Sequence, residues 1–372
     1  MDTQRSMLAW FKTGLVGAAL AAGLVSCGGG SNSDNTMAPP VIATKFLATS
    51  LVSDGTLPAA HTDPNLVNAW GVVFNPTGFV WVANNGSNTS TLYDGNGVVQ
   101  SLVVAIPPGT GGAAGPTGIV FNASQDFKVT QNGVTGASAF IFASEGGTIS
   151  GWSPTVNRTS AVTVFDGGAN GPLYKGLAIS SYAGANYLYA ADFRNNTIDV
   201  YNGSFTRATL PGTFRDPALP AGYAPFGIEA IGGNLYVAYA MQAASGPDEV
   251  RGAGLGIVSV FDSSGVFLRR LVNVGGALNA PWGMAMAPAN FGSISGDVLV
   301  ANFGDGKINA YNPSTGVFDG TLSRADGTPI VIVGLWGLAF GNGLNAQPSN
   351  TLFFTAGPSN EAHGLYGRID MQ

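Results

Sequence analysis

Cysteine occurs once in this chain, at Cys27, and histidine twice, at His61 and His363. A single cysteine excludes an internal disulfide and a redox pair. The two histidines are far apart and form no H-E-x-x-H motif, so metalloprotease chemistry has no footing. G-x-S-x-G, Walker, G-x-G-x-x-G and EF-hand patterns are also missing, as is any other catalytic signature. Glycine-rich spots such as 111–115 lack the strand-to-helix setting of a phosphate cradle. Charge is scarce, with 10% of residues ionised and a net of −6, and there is no basic cluster. That balance argues against nucleic acid and anionic lipid as partners. What the chain has in quantity is glycine, 55 residues spread evenly, and 38 aromatics among 372 residues. Such a composition buries enough apolar surface to fold and supplies many tight turns between short strands.

The first 26 residues stand apart. Arg5 and Lys12 precede an apolar stretch, Gly14 to Val25, that is short for a bilayer span and has the layout of a signal peptide. Its end, Leu24-Val25-Ser26-Cys27, resembles the lipobox of bacterial lipoproteins, which implies cleavage before Cys27 and a lipid on its sulfur. Residues 27–42 read as a flexible tether. Gly28, following the cysteine in place of Asp, implies outer-membrane sorting. The expectation is an exported chain that meets the membrane only through this lipid. Loss of Asp2, Arg5 and Lys12 leaves 13 basic and 20 acidic side chains, a net charge of −7.

One short unit recurs six times: an aromatic or turn residue, glycine, a large apolar residue, then usually a small one. Its glycines are Gly71, Gly118, Gly176, Gly227, Gly283 and Gly337, spaced 47, 58, 51, 56 and 54 residues apart. Each is followed by a second apolar run and then by an alternating segment that usually closes on an aromatic with Asp or Asn, the pattern of consecutive β-hairpins. Five copies carry a fourth run. The sixth stops near Asp370, and Lys45–Val52 stands ahead of the first copy as the strand that completes it. The period and the displaced strand predict an all-β fold, a six-bladed β-propeller over residues 43–372 whose N-terminal strand closes the last blade.

Residues 68–97, 191–203, 280–316 and 335–343 resemble a family of exported bacterial six-bladed propellers, some with a PEP-CTERM sorting tail. More distantly, the chain is similar to NHL-repeat propellers and to the SMP-30-like gluconolactonases. The first resemblance implies fold and export. The second implies a Ca²⁺ held at one mouth of the channel by Glu, Asn and Asp, although the lactonase glutamate position before the first-strand glycine is held here by Trp70.

In a propeller the start of each inner strand and the end of each second strand converge on one face. This places Trp70, Trp282 and Trp336 with Asn84, Glu145, Asp192, Arg194, Asn302 and, from the fourth inner strand, Glu229 around a mouth suited to a glycan, a peptide or another uncharged partner. Glu145, Asp192, Asn302 and Asp305 offer oxygen ligands to Ca²⁺. Glu229 is the irregular member of its repeat: five copies put Val or Ala two residues after the glycine. An acid there needs a partner, with Arg194 and Arg251 as candidates, or a raised pKa. The function expected is a binding or assembly module for an envelope protein, glycan or small molecule. A Ca²⁺-dependent lactonase-like hydrolase or lyase and a structural surface component stand as alternatives.

Overall fold

A computed structural model describes residues 40–244 and 246–372; the leader, Cys27 and the tether up to residue 39 lie outside it. The described chain is almost wholly β, with a single 3₁₀ turn at Gly292–Ile294, and none of its helices is long and apolar enough to cross a membrane. Six sheets follow the six sequence repeats, each built outward from an inner strand and antiparallel apart from a two-residue parallel pairing of Val52–Ser53 with His61–Thr62. The inner strands are Ala69–Phe74, Pro116–Phe121, Tyr174–Tyr182, Tyr223–Ile231, Pro281–Met286 and Leu335–Phe340. Second strands are buried throughout their middles, because neighbouring blades cover both of their faces.

Closure occurs where the repeat count requires it. Phe46–Ser53 pairs antiparallel with Leu365–Met371, from Phe46 opposite Met371 to Ser53 opposite Leu365. Phe46 is fully buried against Phe291, and His363 Nδ1 lies 2.7 Å from Asp54 Oδ2. Strands from the two ends of the described chain thus share one blade and close the ring.

Two departures from the repeat have local causes. Blade two carries an extra hairpin, Lys128–Gln131 with Val134–Ala137. Its turn is Asn132-Gly133, both at positive φ, as a two-residue hairpin demands. Blade three has three strands rather than four. The segment that would supply the fourth contains Pro211, Pro217 and Pro220, which cannot donate to a ladder. Only a bridge between Tyr201 and Arg207 remains there.

The repeat unit itself is a bulge. In every blade the pairing of the inner with the second strand shifts register at the repeat glycine or just before it. An extra residue in one strand of a pair turns its side chain out of the regular alternation. Here it re-aims Trp70, Lys175, Phe226, Trp282 and Trp336 toward the axis. The glycines then let adjacent inner strands touch. A Cβ on Gly71, Gly118, Gly227 or Gly283 would collide with backbone of the next blade, at Thr117, Leu177, Trp282 and Trp336 respectively. On Gly337 it would lie 2.6 Å from the Trp70 carbonyl, and on Gly176 3.1 Å from that of Phe226. This ring of close approaches forms the waist of the channel.

Candidate functional site

On the side where the inner strands begin, the channel is filled. Trp70, Phe226, Trp282 and Trp336 pack with Phe193 and Phe303 in one buried cluster. Trp336 lies at its centre, with ring centroids 3.7 Å from Phe303, 3.8 Å from Trp70, 5.7 Å from Phe226 and 5.8 Å from Trp282. The indole N–H groups are all matched. Trp70 and Trp336 both donate to Asn68 Oδ1, at 2.9 and 3.1 Å, and Trp282 donates to the Lys175 carbonyl at 2.7 Å. Asn68 holds a left-handed backbone, φ 47°, which an Asn tolerates better than most residues.

A charged network borders this plug. Lys175, buried beneath it, donates to Glu145 Oε1 at 2.6 Å, with its ammonium 5.1 Å from the centre of the Trp70 ring. Asn85 donates to the other oxygen of Glu145 at 2.8 Å and accepts from Asn68, which also donates to Glu361 at 2.9 Å. Arg251 bridges Glu361 and Glu249 at 3.6 and 3.7 Å and covers the Phe303 ring. Burial alone would depress the Lys175 ammonium; the nearby Glu145, with Glu249 and Glu361, more than offsets this and holds its pKa above the ordinary value. Burial also raises the Glu361 carboxyl, against the hydrogen bond from Asn68.

The structure corrects the sequence expectation of an open mouth here. Trp70, Trp282 and Trp336 are less than 9% exposed and form a plug, because the bulge points them at one another rather than outward. Glu145 does reach this end, but as the counter-ion of Lys175. Asn84 is buried and donates to Thr89 and Thr91. Asp192 accepts from the Leu173 amide and from Asn195, closing a turn. Asn302 accepts from the Asn279 amide and donates to the Ala277 carbonyl and to Asp305, which pairs with Lys307 at 3.1 Å. Arg194 reaches the Gly171 carbonyl. Glu145, Asp192, Asn302 and Asp305 are therefore each committed locally. Among the described residues no group of three or more His, Cys, Asp or Glu is arranged to hold a metal ion. The donor set does not fit a Ca²⁺ site. Glu249 and Glu361 were missed. Glu361 was within reach of the same reasoning, since it lies in the loop after the second strand of blade six.

Below the waist the channel opens into a funnel of about 600 Å³, lined by the far halves of the six inner strands. Each strand brings its residue two beyond the repeat glycine to this wall: Val73, Val120, Ala178, Glu229, Ala285 and Ala339. Five are apolar and one is an acid. Phe74, Phe121, Met286 and Phe340 continue the wall toward the rim. Glu229 is the only ionisable residue among those lining it, and no side-chain hydrogen bond or ion pair among the described residues engages its carboxyl. Neither Arg194 nor Arg251 pairs with it; both are engaged elsewhere, with Gly171 and with Glu249 and Glu361. Glu229 is exposed to the water of the funnel, and the crowding of its carboxyl comes from the ring of inner strands around it. Its pKa is accordingly pushed up to about 8, slightly opposed by the Ala230 amide. The structure thus moves Glu229 from the expected mouth to the opposite end of the axis.

Comparison with known proteins adds relatives and fold neighbours. "Uncharacterized protein R648" of Acanthamoeba polyphaga mimivirus is 34% identical over 345 residues, covering 90% of this chain and 82% of that protein. "Uncharacterized protein L690" of the same virus is 32% identical over 329 residues, covering 86% and 84%. These relatives are viral, whereas the sequence resemblance pointed to bacterial proteins. No family model matches the chain. Among solved structures, the PQQ-bound aldose sugar dehydrogenase of Streptomyces coelicolor aligns with TM-score 0.51 at 15% identity, covering 90% of this chain and 100% of that one. Virginiamycin B lyase of Staphylococcus aureus aligns with TM-score 0.50 at 15% identity, covering 87% and 99%. At such identity the likeness is one of fold, and the fold hosts unrelated chemistries.

Proposed function

The chain belongs to the protein family of the two mimivirus relatives, and we propose that it is a binding module whose ligand enters the axial channel from the funnel end. The observation that carries this reading is the funnel itself. It is a preformed apolar cavity in the size range of small-molecule sites, closed behind by the glycine waist and the aromatic plug. All six blades contribute to its wall, so it is held rigidly and needs no induced closure. The ligand is small and largely apolar rather than a protein or an extended glycan. Export and a lipid on Cys27, in the manner of an outer-membrane lipoprotein, belong to the same proposal. They rest on the leader and on the Leu24–Cys27 box. A tethered propeller would hold its ligand close to the membrane without contributing a membrane surface of its own.

The test has two readouts. Cys27→Ser should release the chain from the membrane fraction of expressing cells; retention there would remove the lipid anchor from the reading. The purified chain should bind one equivalent of the apolar fluorophore N-phenyl-1-naphthylamine, and Ala339→Phe, which fills the funnel, should abolish that binding. Equal binding by both forms would place the probe elsewhere and overturn the funnel as the site.

A further inference from the structure

Resting on that reading, we infer that the funnel selects a small apolar molecule carrying one ammonium group, with the cation seated against Glu229 at the waist. Three observations meet at this point. The wall is apolar on five of six blades and carries aromatic rings, Phe74, Phe121 and Phe340, toward the rim. Such a wall accepts a hydrocarbon body. Glu229 lies at the inner end, and no cationic side chain among the described residues pairs with it. A second void of about 30 Å³, room for about one water molecule, adjoins it and is bounded by Gly71, Gly118, Gly283 and Gly337. Its surface is more polar than apolar.

An ammonium has three donors and no acceptor. At the waist it meets a carboxylate and peptide groups, while the hydrocarbon it carries fills the funnel behind it. A bare divalent cation is poorly served there, since hard cations require six or more oxygens and one carboxylate is present. An anionic ligand would face a lone acid without a counter-charge. The remaining ionisable neighbour is Tyr236, opposite Glu229 in the blade. It is buried with Ala238, Met284 and Val298 and makes no side-chain hydrogen bond to Glu229. Seating the cation favours the ionised carboxyl, so binding below the Glu229 pKa releases a proton. Affinity for the amine therefore rises with pH through that value.

The experiment compares 3-phenylpropylamine with its neutral isostere 3-phenylpropanol on the purified full chain. Each is titrated directly by calorimetry and also in displacement of N-phenyl-1-naphthylamine. The amine should bind about tenfold more tightly than the alcohol at about pH 9, with the preference shrinking toward about pH 6. Glu229→Gln should keep the alcohol affinity and lose the preference. Equal affinities for amine and alcohol at both pH values, or a preference that survives in Glu229→Gln, would overturn the inference. Tighter binding of the alcohol would do so too, by making the protonated Glu229 a donor to neutral ligands. Those outcomes leave the funnel intact as an apolar site. If no probe binds, or Ala339→Phe changes nothing, the funnel reading itself fails.

Discussion

At the scale of single residues, the molecule turns on where five bulged side chains and one acid point. Trp70, Lys175, Phe226, Trp282 and Trp336 are turned inward and consumed in closing one end of the channel. Lys175 can be buried there only because Glu145 meets its ammonium, at the cost that any buried ion pair carries. Glu229 has no such partner among the described residues, and its charge is a liability to the fold. Its folded pKa of about 8 lies above the ordinary 4.5, so the folded state binds the proton more tightly than the unfolded one. The stability this confers is present below about pH 4.5 and is lost as the pH rises through about 8. Glu229→Gln, which cannot ionise, should therefore melt at a higher temperature than the wild type above pH 8. The gap should narrow as the pH is lowered and vanish near 4.5. Melting curves across that range check it, and a gap independent of pH would mean that Glu229 is solvated like any surface acid. The oddity of Glu229 was legible in the sequence from its repeat position. Its separation from the plug was not, because a repeat places residues at a level along the axis without saying which levels are filled and which are open.

At the scale of the strand, the recurring aromatic–glycine unit is a bulge followed by a contact between blades. The glycine is required by the space rather than by its φ, since backbone of the next blade lies where a Cβ would be. Gly283→Ala should cost about 2–3 kcal/mol, the price of overpacking a rigid interior. Gly276→Ala, in a loop where the nearest atom to a new Cβ is 3.8 Å away, should be neutral or slightly stabilising. Urea denaturation of the two variants checks the contrast, and equal effects would remove the glycine ring as a structural element. Strand periodicity had located nearly every element, since alternation and turn residues are local signals. The fourth strand of blade three was overestimated, because three prolines keep that segment out of the ladder.

At the scale of the whole molecule, the ring is joined by one strand from the far end of the chain. Phe46 anchors it: its ring is fully buried beside Phe291, and its amide donates to the Ser323 carbonyl at 3.0 Å. Phe46→Ala should cost about 3–4 kcal/mol, whereas Leu47→Ala, on the exposed side of the same strand, should fall within about 0.5 kcal/mol of the wild type. Denaturation midpoints decide between this and a closing strand that contributes little. The six repeats, the bulge-forming motif and the displaced strand are spelled out in the sequence, because each follows from local spacing, strand alternation and turn chemistry. Which end of the channel is shut and which is open was decided only in three dimensions. Six side chains from distant repeats compete for one axis. Where they are bulky and meet at a bulge they fill it, and where they are Val or Ala they leave a funnel around a single carboxyl.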